Sequence, residues 1–139
     1  MLLLYRNIIL LDGIHASYIP EKQVLYKGGK IDSLQLNPFL EFAQKAINGE
    51  KRMLITHSSI FPGTYASTTE STDYLIRKLG LERKSILIQG PVGMQQVGET
   101  ISGKLTILSY AGNTAPDHID HLHGLYYFLA KILSDKNDH

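Results

Sequence analysis

The chain contains no cysteine among its 139 residues. That excludes a disulfide framework and thiolate chemistry, and it agrees with a reducing, cytoplasmic setting. It has no surplus of charge either: Lys and Arg number 14 against 13 for Asp and Glu, a net charge of +1. With no basic stripe there is no electrostatic footprint for nucleic acid. A long hydrophobic run is missing too. The apolar N-terminus, Met1 to Leu11, is interrupted by Arg6 and Asn7 and closed by Asp12. It is too short to cross a bilayer and lacks the small-residue cleavage site of a signal peptide, so it reads as a buried strand, and no membrane partner is expected. There is no internal repeat, no low-complexity tract, no H-E-x-x-H or cysteine-based metal spacing and no phosphate-loop spacing. No nucleotide and no cofactor is expected.

What remains is an ordinary globular composition, with 43% apolar and 19% charged residues, at the size of one domain spanning residues 1–139. Ile8 to Leu11 and Met53 to Ile55 are continuous apolar runs, the pattern of strands covered on both faces. Between them, residues 16–36 form a polar, tyrosine- and lysine-rich insert. Lys27-Gly28-Gly29-Lys30 is expected to turn a small hairpin between Val24–Tyr26 and Ile31–Leu34. Asn37-Pro38 supplies an N-cap and a first-turn proline for a helix whose stripe is Phe39, Phe42, Ala43, Ala46 and Ile47.

After a Pro62-Gly63 turn, Ser67-Thr68-Thr69-Glu70 reads as a capping box opening a second helix that runs to Gly80. Strands follow at Ser85–Ile88, Gln95–Ile101 and Leu105–Leu108, the last two joined by a Ser102-Gly103 turn. Gly90-Pro91-Val92-Gly93 is a further turn. One closing helix carries Ile119, Leu122, Leu125, Tyr126, Leu129, Ile132 and Leu133, and the tail from Ser134 to His139 is expected to fray. Helical crossovers between apolar strands imply an α/β fold: a three-layer sandwich around a mostly parallel sheet.

In such sheets ligands bind beyond the carboxyl ends of the strands. Three polar clusters fall there: Asp12, His15, Ser17 and Tyr18; then Thr56, His57, Ser58 and Ser59; then Asn113, Asp117, His118, Asp120, His121 and His123. Five of the six histidines lie in them. Three readings follow. In a relay, Asp12 fixes the His118 imidazole and Ser58 supplies a hydroxyl, while His15, His57, Ser59 and Tyr18 line a small-molecule site. In a metal site, His118, His121 and His123 act as ligands, joined by Asp12 or His57. In the structural reading, Asp117 caps the last helix, His121 and His123 are partly buried or surface residues, and Asp12 merely ends a strand. Tyr18, Tyr26 and Tyr65 are candidates for an aromatic wall.

Three stretches resemble a group of bacterial proteins of the α/β-hydrolase superfamily: Leu10 to His15, Thr56 to Glu70, and Ala111 to Gly124. The resemblance is to the superfamily's C-terminal half. It implies His118 as catalytic histidine, Asp12 as the acid placed one strand early, and hydrolysis of a carboxylic ester or amide. The nucleophile elbow, G-x-S-x-G, is absent. Thr56-His57-Ser58-Ser59-Ile60 comes nearest, with Thr56 and Ile60 in place of both glycines, so the likeness points Ser58 toward orienting the site. Two consequences are expected. Either a partner chain, or a second copy in a homo-oligomer, completes the sheet and the site, or the chain is a non-catalytic binding or assembly module that keeps the fold.

Overall fold

The computed structural model describes residues 5–59 and 65–134. The Pro62-Gly63 turn and the tail beyond Ser134 lie outside them. Strand β1 (Asn7–Leu11) is followed by two short strands, β2 (Tyr18–Ile19) and β3 (Lys30–Ile31), and by helix α1 (Asn37–Ile47). Then come β4 (Arg52–His57), α2 (Thr68–Lys78), β5 (Lys84–Gln89), β6 (Gln95–Ser102) and β7 (Leu105–Tyr110). Two helices close the chain, α3 (Ala115–His123) and α4 (Leu125–Ser134). No helix among the described residues is long and apolar enough to cross a membrane.

The main sheet has the order β1-β4-β7-β6-β5. Pairs β1–β4 and β4–β7 are parallel, whereas β6–β7 and β5–β6 are antiparallel. The sheet is therefore mixed, and the expected mostly parallel arrangement holds only for β1, β4 and β7. The second crossover does not return beside β4. β5 goes to the far edge, because the β6–β7 hairpin seats β7 against β4 first. Gly103 shows why that hairpin fits. It sits at φ +57° in the tip, where a Cβ would meet the Ile47 carbonyl oxygen at 2.2 Å. Only glycine lets the tip close on the end of α1, where the Lys104 N–H donates to the Ala46 carbonyl.

The two central strands alternate between two apolar cores, which explains their unbroken hydrophobicity. Met53 and Ile55 of β4, with Leu105 and Ile107 of β7, pack under α1 and α2 through Phe42, Ala46, Leu75 and Ile76. Leu54, Leu108 and Tyr110 face the other way, against Phe128 and Ile132 of α4. The layering is helix, sheet, helix.

Three local expectations are corrected. The insert pairs Tyr18–Ile19 with Lys30–Ile31, antiparallel, while Leu25–Lys27 forms a 3-10 turn; the hairpin predicted around Lys27–Lys30 does not form. Tyr18 is drawn inward by burial of its ring, which moves the pairing upstream. Asn37 is the first helical residue of α1 rather than its cap, because a 3-10 turn, Ser33–Leu36, runs straight into the helix. The closing helix is two helices, broken at Gly124, where a Cβ would press within 2.9 Å of Pro91 and 3.1 Å of Phe128.

Phe42 is fully buried at the centre of the first core. Phe42→Ala should cost about 3–5 kcal/mol in urea unfolding. Ile88→Thr, on the exposed edge strand β5, should stay within about 0.5 kcal/mol.

Candidate functional site

The parallel register sets the last residues of β1, β4 and β7 side by side: Leu11 opposite Thr56, and His57 opposite Ser109. The Asp12 N–H extends the ladder by donating to the Thr56 carbonyl at 2.8 Å. The chain then turns with Asp12 at φ +52°, the left-handed region that aspartate tolerates better than most side chains. Asp12 is only 2% exposed.

Three donors converge on its carboxylate. Ser58 gives two: its N–H reaches Oδ1 at 3.1 Å and its hydroxyl reaches Oδ2 at 2.6 Å. His118 Nδ1 lies 2.8 Å from the same Oδ2. Burial alone raises the carboxyl pKa, but the bonds from the Ser58 hydroxyl, His118 and the Ser58 amide outweigh it and hold Asp12 below its ordinary value. An ionised carboxylate only accepts hydrogen bonds, so Nδ1 of His118 carries the proton. In the neutral ring Nε2 then presents a lone pair, and it has no partner among the described residues.

His118 arrives on α3, which a second capping box starts: the Thr114 hydroxyl accepts from the Asp117 N–H, and Asp117 bonds back to Thr114. The Asp117 carboxylate also accepts from the Asn113 N–H. Gly112, at φ +135°, allows this close return, since a Cβ there would stand 2.8 Å from Asp117. Its carbonyl accepts from the Ser59 N–H at 2.7 Å, joining the β4 and β7 ends.

Asp12 and His118 border a cavity of about 220 Å³. His15 and Tyr65 form one wall, their rings edge to face at 5.1 Å, and Ser67, Thr68 and Ala115 complete the lining. Of the residues expected to line a small-molecule site, His15 is there and His57, Ser59 and Tyr18 are not; of the candidates for an aromatic wall, only Tyr65 is there, and Tyr26 stands exposed elsewhere. The Tyr18 ring is buried and its hydroxyl donates to Glu70 at 2.6 Å. Ser59 is exposed and does not line the cavity; its N–H bonds the Gly112 carbonyl. His57 is turned into the protein: Nδ1 meets the Thr69 hydroxyl at 3.1 Å, and Nε2 lies 2.7 Å from the Ser109 hydroxyl and 3.3 Å from Arg83. Because Thr69 donates to the Ser58 carbonyl, it accepts from Nδ1–H, leaving Nε2 to accept from Ser109 and Arg83. Thr69 thereby clamps the end of β4 that carries Ser58.

The three late histidines do not converge. His121 is buried with Nδ1 2.6 Å from the Thr56 hydroxyl, and His123 bonds Asp120 at 3.2 Å on the surface. Among the described residues, no group of three histidine, aspartate or glutamate side chains is arranged to hold a metal ion. Helical spacing sends His123 to a different side from the other two, while His118 and His121, three apart, are held by separate partners, Asp12 and Thr56. Ser58 Oγ is directed at Asp12 and not at an imidazole.

Comparison with protein families, with curated proteins and with solved structures finds no match to this chain.

Three lining residues were not foreseen as site residues: Ser67, Thr68 and Ala115. Ser67 is the cap of α2, the other two are the first helical positions after a cap, and the two capping patterns were the available signal.

Burial lowers the His57 pKa from 6.5 to about 4, and Arg83 pushes the same way. The unfolded chain takes up this proton as pH falls through about 6.5, whereas the folded chain resists until about 4. Stability is full above that window, declines within it by roughly 3 kcal/mol and levels off below. Urea unfolding at about pH 7 and about pH 4.5 should show this loss, and His57→Asn should flatten it; an equal slope in the variant would assign the loss elsewhere.

Proposed function

We propose that this chain carries the acid and histidine of an α/β-hydrolase-like acyl hydrolase that cleaves a carboxylic ester or amide. One observation carries the reading: a buried, ionised Asp12 holds His118 Nδ1–H, while Nε2 has no partner among the described residues and the ring borders a cavity. That is the arrangement a general base needs, with tautomer and ring orientation set by the carboxylate. The order of parts agrees with the sequence resemblance, with the acid after β1, the histidine after β7, and the parallel strands β4 and β7 between them.

In this reading Nε2 takes the proton of an attacking hydroxyl as that oxygen bonds the acyl carbon. It then returns the proton to the departing alcohol or amine. Asp12 offsets the charge of the transient imidazolium. Ser58 is a positioning residue, since its hydroxyl proton is committed to Asp12 and it is 1% exposed. The attacking hydroxyl comes from a strand beyond β1, in a second polypeptide or elsewhere in the protein. Among the described residues β1 lies at the sheet edge with one side unpaired, and a strand added there in parallel would end beside Asp12. A cytoplasmic setting belongs to the proposal, as the chain has no cysteine to oxidise.

A second reading, a binding or assembly module without turnover, is favoured by the surface. Leu87, Ile101, Leu122 and Tyr126 are exposed large apolar side chains, the last at 90%. A stable homo-oligomer with no esterase activity would support it.

Hydrolysis of p-nitrophenyl butyrate, assayed on the native assembly in which the strand beyond β1 supplies the attacking hydroxyl, decides between the two. His118→Ala and Asp12→Asn should each lower kcat/KM by about 100-fold or more. Ser58→Ala, which loosens Asp12 without removing a reacting group, should lower it about 10-fold. Equal rates for wild type and His118→Ala would end the general-base reading, and a fluorophosphonate adduct on Ser58 would make it the nucleophile after all.

A further inference from the structure

We propose that Arg83, which does not line the cavity, is a positioning residue for it: its guanidinium fixes the tautomer of His57, and through that tautomer the direction in which Thr69 holds Ser58 against Asp12. This deepens the hydrolase reading and rests on it only for what Asp12 and His118 then do.

Some groups can reverse a hydrogen bond and others cannot. A hydroxyl donates or accepts, and a neutral imidazole carries its proton on either nitrogen. A guanidinium only donates, and a peptide carbonyl only accepts. Between Arg83 and Ser58 the reversible groups stand in a row with one irreversible group at each end. Arg83 Nη2 lies 3.3 Å from His57 Nε2, so that nitrogen accepts, as it also does from the Ser109 hydroxyl at 2.7 Å. The ring proton is then on Nδ1, 3.1 Å from the Thr69 hydroxyl, which accepts it. The hydroxyl's own proton goes to the Ser58 carbonyl. Ser58 in turn gives its N–H and its hydroxyl to Asp12, and Asp12 takes the Nδ1–H of His118.

Without the guanidinium a second pattern opens. The His57 proton moves to Nε2 and donates to Ser109, and the Thr69 hydroxyl turns to donate to the bare Nδ1. His57 is 4% exposed, so its protein neighbours and not bulk water choose between the two tautomers. The second pattern takes from the Ser58 carbonyl the donor that Thr69 supplied, in a residue only 1% exposed. The end of β4 then loses its clamp, and with it the placement that lets two Ser58 donors reach Asp12 at 3.1 and 2.6 Å.

The reach of Arg83 is built into the sheet. Its stem lies over Gly98 of β6, where a Cβ would stand 3.1 Å from Cδ and 3.2 Å from Cγ of the arginine. A side chain there would push the stem away from His57. Asp73 accepts from the same Nη2 at 2.7 Å, so the two hydrogens of that nitrogen are both directed, one to Asp73 and one to His57. The Arg83 and Asp73 side chains are 31% and 37% exposed, a setting in which an ion pair by itself adds little to stability. What sets this pair apart is the imidazole beneath it.

The test reads the ring itself, by long-range proton–nitrogen correlation NMR of the folded chain at neutral pH. His57 should carry its proton on Nδ1. Arg83→Met should move the ring signals toward the Nε2–H form, shift the Ser58 amide and broaden the His118 Nδ1–H resonance. Arg83→Lys, which still only donates, should restore all three. Gly98→Ala, which keeps the arginine but displaces its stem, should act in the same direction as Arg83→Met. An Nε2–H ring in the wild type, or an unchanged ring in Arg83→Met, would overturn the proposal. So would a changed ring with the Ser58 and His118 signals left in place. None of these readouts needs turnover. On the native assembly, Arg83→Met should lower kcat for p-nitrophenyl butyrate about five-fold with KM unchanged, and Arg83→Lys should recover it. An unchanged kcat in Arg83→Met would break the link to the site, whereas an inactive wild type with the expected spectra would end the hydrolase reading and leave the positioning role standing.

Discussion

The Asp12 carboxylate is where the chain's separate parts meet. It receives the Ser58 amide and hydroxyl from the end of β4 and the His118 imidazole from α3, so one buried charge joins three segments. An anion 2% exposed is tolerable only when such donors replace the water it has lost. The same need constrains its surroundings. β1 must end at that point, the chain must bend through a left-handed aspartate, and Ser58 must keep its backbone where both donors reach. Thr69 enforces the last condition through the Ser58 carbonyl, and His57 and Ser109 support Thr69 in turn.

The sheet explains why these residues can meet at all. Parallel neighbours end at the same rim, so β1, β4 and β7 present their C-terminal residues together, and the helices that follow them start there too. Two capping boxes, one opening α2 and one opening α3, fix those starts within a residue. The antiparallel β5 and β6 add width on the far side and take no part in the cavity, and their outward apolar residues stay uncovered.

Much of this was legible beforehand where the physics is local. The apolar runs at Ile8–Leu11 and Met53–Ile55 marked strands because both of their faces are covered, and Ser67-Thr68-Thr69-Glu70 marked a helix start because its side chains satisfy its own backbone. Asp12, Ser58 and His118 were drawn together by position after strands, and they do share hydrogen bonds. Their order was not legible: serine bonds the acid and leaves the imidazole's far nitrogen open. His57 and Tyr18 misled because a polar residue at a strand end may turn inward as readily as outward, and only neighbours such as Ser109 and Glu70 decide which.

By itself the sequence determined the period of each segment, the caps, and the polar character of the strand ends, all of which depend on residues within a few positions of one another. The tertiary structure alone decided the strand order, the break at Gly124, the burial of His57 and His121, and the lining of the cavity. The physical reason is distance along the chain. Asp12 and His118 are separated by 106 positions, and a contact of that kind exists only once every intervening strand has taken its place in the sheet.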